Sequence, residues 1–313
     1  MANPIHNDMD NRISKEDTKE IRIRNECIFR NEAMIHFSKQ ECIKILIDHI
    51  KYNTRLESIN ISGFEFKFGI QLMFNHIAMN NTVVKLRLNL IFNLTDSGVE
   101  SLCSALKTNN TIRELDLSHN NLTHKSTFML SKLLEYKHNI TSLNLDHNNI
   151  RNDGLYYLSR STHHIKKLSL GNNNIKIKSM LSIYDGISNF INISNIEHLN
   201  LCTCHLNDKD IKILCHNLII AKTAGHKNQH HRISTLNLGS NKLTIKSLSY
   251  IAYLLDNSNL SDLNISFNNF SCGNKNIVIE YDRLLQAIAQ SDTITSLNME
   301  YCRINNRYID FFY

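Results

Sequence analysis

Apolar residues recur along this chain in a short fixed frame, not at one sustained helical or strand period. In Ile112-Arg-Glu-Leu115-Asp-Leu117-Ser-His-Asn120-Asn-Leu122 they fall at relative positions 1, 4, 6 and 11, with Asn at 9. The frame returns at Ile140, Leu143, Leu145, Asn148 and Ile150, and at Ile165, Leu168, Leu170, Asn173 and Ile175. Further copies run through Ile233, Leu236, Leu238, Asn241 and Leu243, and through Leu260, Leu263, Ile265, Asn268 and Phe270. Two copies, from Ile196 and Ile294, carry Cys204 and Cys302 at position 9. Two early copies start at Leu56, with Phe64 at position 9, and at Val83, a copy that runs on to Asn93 and Leu94 and holds one extra residue. Apolar side chains at 4 and 6 share one face of an extended segment, so each copy predicts a short strand with an inward pair. The segments between copies have helical period. Val99, Leu102, Cys103 and Leu106 stand at i, i+3, i+4 and i+7, and Leu248, Ile251, Leu254 and Leu255, at i, i+3, i+6 and i+7, share one helix face likewise.

Nine strand-plus-helix units in series resemble the leucine-rich repeat, L-x-x-L-x-L-x-x-N/C-x-L, over residues 50 to 313. The resemblance implies an α/β solenoid, a horseshoe with parallel strands on the concave face and helices on the convex face. The copies begin 27, 29, 28, 25, 31, 37, 27 and 34 residues apart, and units near 28 resemble the ribonuclease-inhibitor-like class. Asn or Cys at 9 sits where the chain leaves the strand and can satisfy backbone groups between coils. Phe64 cannot, which predicts an irregular first turn. We divide the chain into residues 1–50, a disordered start plus an N-terminal capping helix, and 51–313, a repeat domain of about nine repeats. Ile21-Arg-Ile23 reads as a degenerate strand and Ala33 to Ile50 as the amphipathic cap helix. Tyr308, Ile309, Phe311, Phe312 and Tyr313 are placed to fold over the last repeat.

Composition narrows the class without naming a partner. One proline and nine glycines suit regular structure with Asn-built turns. The net charge of +6 is spread along the chain instead of concentrated in one tract, which argues against nucleic acid as partner. No run of about 20 apolar residues predicts a membrane span. The start has no apolar core of a secretory signal, so the eight cysteines are expected as reduced thiols in a cytoplasmic setting.

Candidate chemistry is sparse. Cys202, Cys204, His205, Cys215, His216 and the tract His226, His230, His231 look like metal ligands by composition. The repeat register separates them, and zinc needs four convergent donors, so no metal site is expected there. No hydrolase, P-loop or dinucleotide motif is present, and nothing gathers an acid, a base and a nucleophile. We therefore expect no catalytic residues and no cofactor. The concave face is the better candidate, with positions 3, 5, 7 and 8 directed away from the core. Position 5 is a polar column: Asn60, Arg87, Asp116, Asn144, Ser169, Asn200, Asn237, Asn264, Asn298. Charge gathers early, at Lys85, Arg87, Glu114, Asp116, His119, Asp146 and His147. Phe267 and Tyr301 come late, as aromatic anchors of the kind interfaces favour.

These residues predict a non-enzymatic, monomeric scaffold that binds a protein on its concave face. The Asn/Ile/Lys-rich, Trp-free composition and irregular repeat lengths also resemble the leucine-rich-repeat effectors of intracellular bacteria (Legionella-type). That resemblance implies a host-protein partner and delivery into the host cell without a classical signal. The repeats are similar as well to Ran GTPase-activating proteins, which implies GTPase regulation as the alternative, although the acidic tail of those proteins is missing.

Overall fold

The computed structural model describes residues 19–304, apart from 25–26, 31–32, 37–38, 67–68, 92–93, 176–195, 221–232 and 272–277. The start before Lys19, the His226–His231 tract and the segment from Asn305 to Tyr313 lie outside the described residues.

The chain begins with β1 (Glu20–Arg24), β2 (Cys27–Arg30), β3 (Ala33–His36) and α1 (Lys39–Tyr52). Strand and helix then alternate: β4 (Ser58–Ser62), α2 (Ile70–Met79), β5 (Lys85–Asn89), α3 (Asp96–Leu106), β6 (Glu114–Asp116), α4 (His124–Leu134). Next come β7 (Ser142–Asn144), α5 (Arg151–Ser159), β8 (Lys167–Ser169), β9 (His198–Asn200) and α6 (Asp208–Ile220). The series ends with β10 (Thr235–Asn237), α7 (Lys246–Asn257), β11 (Asp262–Asn264), α8 (Val278–Gln290) and β12 (Ser296–Asn298). All strands join one open sheet in the order β12-β11-β10-β9-β8-β7-β6-β5-β4-β1-β2-β3. From β1 and β4 through β12 the pairing is parallel. The fold is thus an α/β solenoid with strands on one face and helices on the other. No helix among the described residues is long and apolar enough to cross a membrane.

Register is what turns the repeat into a structure. Leu86, Leu115, Leu143, Leu168, Leu199, Leu236, Leu263 and Leu297, all at position 4, pair strand to strand. Each frame position therefore becomes a column along the solenoid, with steps of about 4.8 Å between neighbouring strands. Leu115 and Leu117 are buried, as are the equivalent pairs Leu143/Leu145 and Leu236/Leu238. The helix stripes meet them from the other side. Val99, Leu102, Cys103 and Leu106 of α3, and Leu248, Ile251, Leu254 and Leu255 of α7, all lie in the core.

The position-9 asparagines hold the coils together. Asn148 Nδ2 donates to the carbonyls of Leu117, Leu145 and Asp146, while its Oδ1 accepts from the backbone N–H of Asn120 and Leu122. Asn120, Asn173, Asn241 and Asn268 repeat the arrangement. A buried backbone group left without a partner costs about 1–3 kcal/mol, so the two N–H groups that depend on this one amide make it a strong tie between coils. Cys204 and Cys302 do less: each thiol donates to the carbonyl of another coil, Leu170 and Ile265, at 3.2 and 3.1 Å. Phe64 abandons the polar ladder and buries its ring edge-on against Phe66. The backbone of that coil is more regular than the sequence predicts. Gly63, at position 8, keeps the left-handed φ of 63° seen in other coils.

The N-terminal region departs from expectation. Ile21 and Ile23 do form a strand, and it pairs in parallel with β4 as a further coil. Residues 33–36 are not the start of the helix, however. They form β3, which with β2 continues the sheet as an antiparallel meander, and the helix begins only at Lys39. Buried Cys42, Leu46 and Ile50 set the inner stripe of α1. β-Branched and aromatic residues in 27–36 favour extended structure, and helical spacing upstream of Lys39 had no comparable stripe to enforce it.

Candidate partner-binding surface

In the coils from β6 onward the strands span only positions 3 to 5. The expectation that positions 7 and 8 continue the strand is therefore corrected: both belong to the turn that follows. Position 5 makes the turn. Its side-chain oxygen accepts the position-7 N–H of the same coil in Asp116, Asn144, Asn200, Asn237, Asn264 and Asn298, at 2.9–3.1 Å. The polar column is thus an Asx-turn ladder, which accounts for its Asn-rich character by local structure.

Position 7 tucks inward. Ser118 and Ser266 are buried, and at Gly171 an added Cβ would meet Cys202 Sγ at 2.7 Å. Asp146, also at position 7, is not an open charge. It accepts from the Ser169 hydroxyl at 2.7 Å, the Gly171 N–H at 2.5 Å and Asn200 Nδ2 at 3.2 Å. Burial pushes its carboxyl up, and these hydrogen bonds offset only part of that.

Position 8 is the exposed element of the turn. In nine coils it holds a left-handed residue, Gly63, Leu90, His119, His147, Asn172, Thr203, Ser240, Phe267 and Tyr301, with φ between 52° and 63°. For a residue with a Cβ this conformation costs on the order of 1–2 kcal/mol. Cross-coil hydrogen bonds hold it: the N–H of His119 donates to the Asp146 carbonyl, that of His147 to Gly171, and that of Phe267 to Glu300. Because the columns are in register, like side chains stack. His119 and His147 lie 3.9 Å apart with planes 13° apart, and Phe267 and Tyr301 lie 4.7 Å apart at 16°. The His147 ring accepts from Asn172 Nδ2 at Nδ1, and burial, then the neighbouring His119, holds its pKa below the usual histidine range.

The early charges are brought together with each other. Lys85 and Arg87 on β5 pair with Glu114 on β6 at 3.3 and 3.6 Å, and Arg87 also reaches Glu20 on β1 at 3.9 Å. Glu20 and Arg22, which also pair at 2.8 Å, were missed from sequence. Placing Ile21 and Ile23 at positions 4 and 6 of the frame would have put Glu20 and Arg22 in columns 3 and 5. The aromatic pair stands apart. Five strand steps, about 24 Å, separate β6 from β11. Phe267 is 55% and Tyr301 75% exposed.

The described cysteines do not resemble reactive thiols. Burial pushes Cys103, Cys204 and Cys215 up to about 12, and raises Cys202 and Cys302, so the nucleophilic thiolate is disfavoured. Cys204 points into the position-9 turn, Cys215 is buried in α6, and Cys202 stands at position 7.

Stacked strand-turn-helix coils with an Asn/Cys ladder define a repeat solenoid with a built concave surface. The sequence comparison names the repeat. A family model described as Leucine Rich repeat matches residues 108–125 and 136–159, the coils around β6 and leading through α5. No curated protein matches the chain. Leucine-rich repeats are commonly protein–protein interaction modules and generally non-enzymatic scaffolds.

Proposed function

We propose that this protein is a non-enzymatic scaffold that binds a partner protein along its concave surface, with Phe267 and Tyr301 as the anchor. The observation that carries this reading is the exposed aromatic stack on a strained left-handed ladder. Two large rings at left-handed positions cost backbone energy and shield each other only partly from water, an arrangement that gains most from a partner side chain laid against it. The partner class we infer is a host protein met by a bacterial effector. Its support is the Asn/Ile/Lys-rich, Trp-free composition and the irregular repeat lengths. In that reading the protein works in the host cytoplasm.

The test is affinity capture from eukaryotic lysate with three baits: wild type, Phe267→Ala/Tyr301→Ala, and Tyr136→Ala. Tyr136 is 80% exposed just after α4, on the helix side. A protein held by wild type and Tyr136→Ala but lost by the double variant supports the concave anchor. A protein still held by the double variant, or lost with Tyr136→Ala, removes it.

A further inference from the structure

Away from the concave surface, on the rim where helices return to strands, three imidazoles meet. His138 follows α4, and His163 and His164 follow α5. Their ring centroids form a nearly equilateral triangle, with sides of 5.1 Å (His138–His163), 4.9 Å (His138–His164) and 5.1 Å (His163–His164). One ligand nitrogen from each ring lies within 4.8 Å of the others. The solenoid explains the meeting. His138 and His163 both stand two residues before position 1 of their repeats, Ile140 and Ile165, so stacking superposes them one coil apart. His164 occupies the place that Asn139 holds one coil earlier, where Asn139 Nδ2 donates to the Ile112 carbonyl. The two preceding repeats carry Asn-Asn-Thr before position 1, at 80–82 and 109–111. Two before position 1, histidine thus takes in two successive coils the place of the exposed Asn81 and Asn110.

We propose that His138, His163 and His164 form a three-imidazole site for a divalent transition-metal ion of the Zn²⁺ class, with one coordination position open to water or to a partner's side chain. The donor set suits such an ion, since neutral imidazole is a borderline ligand and three protein ligands plus an open position is a familiar zinc arrangement. His138 Nε2 lies 3.2 Å from the Glu135 carbonyl oxygen. A carbonyl only accepts, so that nitrogen carries a proton; in the neutral ring Nδ1 then offers the lone pair, with the Glu135 carbonyl as the outer partner that metal-bound histidines use. Both His164 nitrogens are buried and complete no hydrogen bond within the protein; only the Lys137 backbone lies near enough to favour its charged form. The cation beside His138 in sequence is drawn away: Lys137 Nζ donates to the Asn109 carbonyl and Asn110 Oδ1 in the preceding coil. Tetrahedral bonds of about 2.0–2.1 Å place donor nitrogens roughly 3.4 Å apart. Closure therefore needs shifts of about 1.5 Å in nitrogen separation, within reach of rotation in the exposed His138 and His163 side chains.

The experiment titrates the full chain, reduced and metal-free, with Zn²⁺ by calorimetry and with Co²⁺ by visible absorption. Wild type, His163→Ala and a cysteine control, Cys202→Ser, are compared, and thermal melts check folding. The expected result is one Zn²⁺ bound per chain, with affinity lowered about tenfold or more in His163→Ala, since even an outer-shell partner contributes that much. Cys202→Ser should bind as wild type does, and the Co²⁺ spectrum should lack thiolate charge-transfer bands. Absence of binding, or binding unchanged in a folded His163→Ala, overturns the site. So does a thiolate-type Co²⁺ spectrum lost in Cys202→Ser.

Discussion

The two ends of the concave surface share one backbone and differ in what their side chains leave undone. Around β1, β5 and β6, the charges of Glu20, Arg22, Lys85, Arg87 and Glu114 answer one another across the strands. Around β11 and β12, Phe267 and Tyr301 answer one another only as a stack and keep most of their area in water. In both places register brings equivalent positions together. Charged neighbours complete their interactions within the protein, whereas exposed aromatics complete theirs only when something covers them. A cluster of charges in a repeat is therefore weaker evidence of a binding site than a pair of exposed rings at the same column.

The comparison presupposes a common scaffold, and the largest effect comes from breaking it. Asn148→Ala strips the acceptor from the N–H groups of Asn120 and Leu122, and takes one of two donors from the carbonyls of Leu117, Leu145 and Asp146. We expect a loss of about 2–5 kcal/mol in urea unfolding, two buried N–H groups being orphaned at once. Cys302→Ala at the equivalent position removes one thiol donor and should cost about 1–2 kcal/mol. Equal costs would show that the amide ladder is not what holds the coils.

Next in size is a change that separates binding from stability at the C-terminal end. Phe267→Gly relieves a left-handed phenylalanine, worth about 1–2 kcal/mol, and forfeits a ring stack worth about 0.5–1.5 kcal/mol. The two nearly cancel, so the unfolding midpoint should stay within about 1 kcal/mol of wild type. Partner affinity, once a partner is captured, should fall about 30-fold or more, as for a central anchor. A variant that binds normally would reduce the stack to a tolerated surface feature.

How far the sequence carries can be judged on particular residues. Leu115 and Leu117 were legible because apolar residues hold their positions in all nine copies, and Asn120 because Asn or Cys holds its position in seven. The inward helix stripes were legible for the same reason. The left-handed turn at position 8 was not, because Leu90, Phe267 and Tyr301 have no local preference for positive φ; cross-coil hydrogen bonds impose it. The Asn column at position 5 was read as surface, although its spacing of two from the position-7 N–H already matched an Asx turn. The His138–His163–His164 cluster was missed because its members lie 25 residues apart and meet only when repeats are stacked. Reading the sequence down the frame columns, and not only along the chain, would have exposed it.

Smaller effects test the N-terminal half of the comparison. Arg87→Ala breaks two exposed ion pairs, and exposed pairs contribute about 0–1 kcal/mol. Stability should drop by no more than that, the difference should shrink in 1 M salt, and partner affinity should hold within about threefold, far below the cost of a central anchor. A large, salt-sensitive loss of binding would move the anchor from the aromatic end to this one.

The finest test uses two carboxylates that titrate in opposite senses. The hydrogen bond from Arg22, assisted by the charges of Arg22 and Arg87, holds Glu20 below the usual carboxylate range against the effect of burial. Burial pushes Asp146 above that range. A lowered folded pKa gives stability that is present above the unfolded value, about 4.3 for Glu, and is lost as pH falls through the folded one. A raised folded pKa works the other way: its stability is full below the unfolded value, about 3.9 for Asp, and is lost as pH rises through the folded one. Glu20→Gln should therefore fall further behind wild type as pH rises from 3 to 7, while Asp146→Asn should gain on it over the same interval. Urea midpoints of the three proteins at each pH read both slopes. If the two slopes share a sign, the contrast between an ion-paired surface carboxylate and one drawn into the turn is wrong for at least one of them.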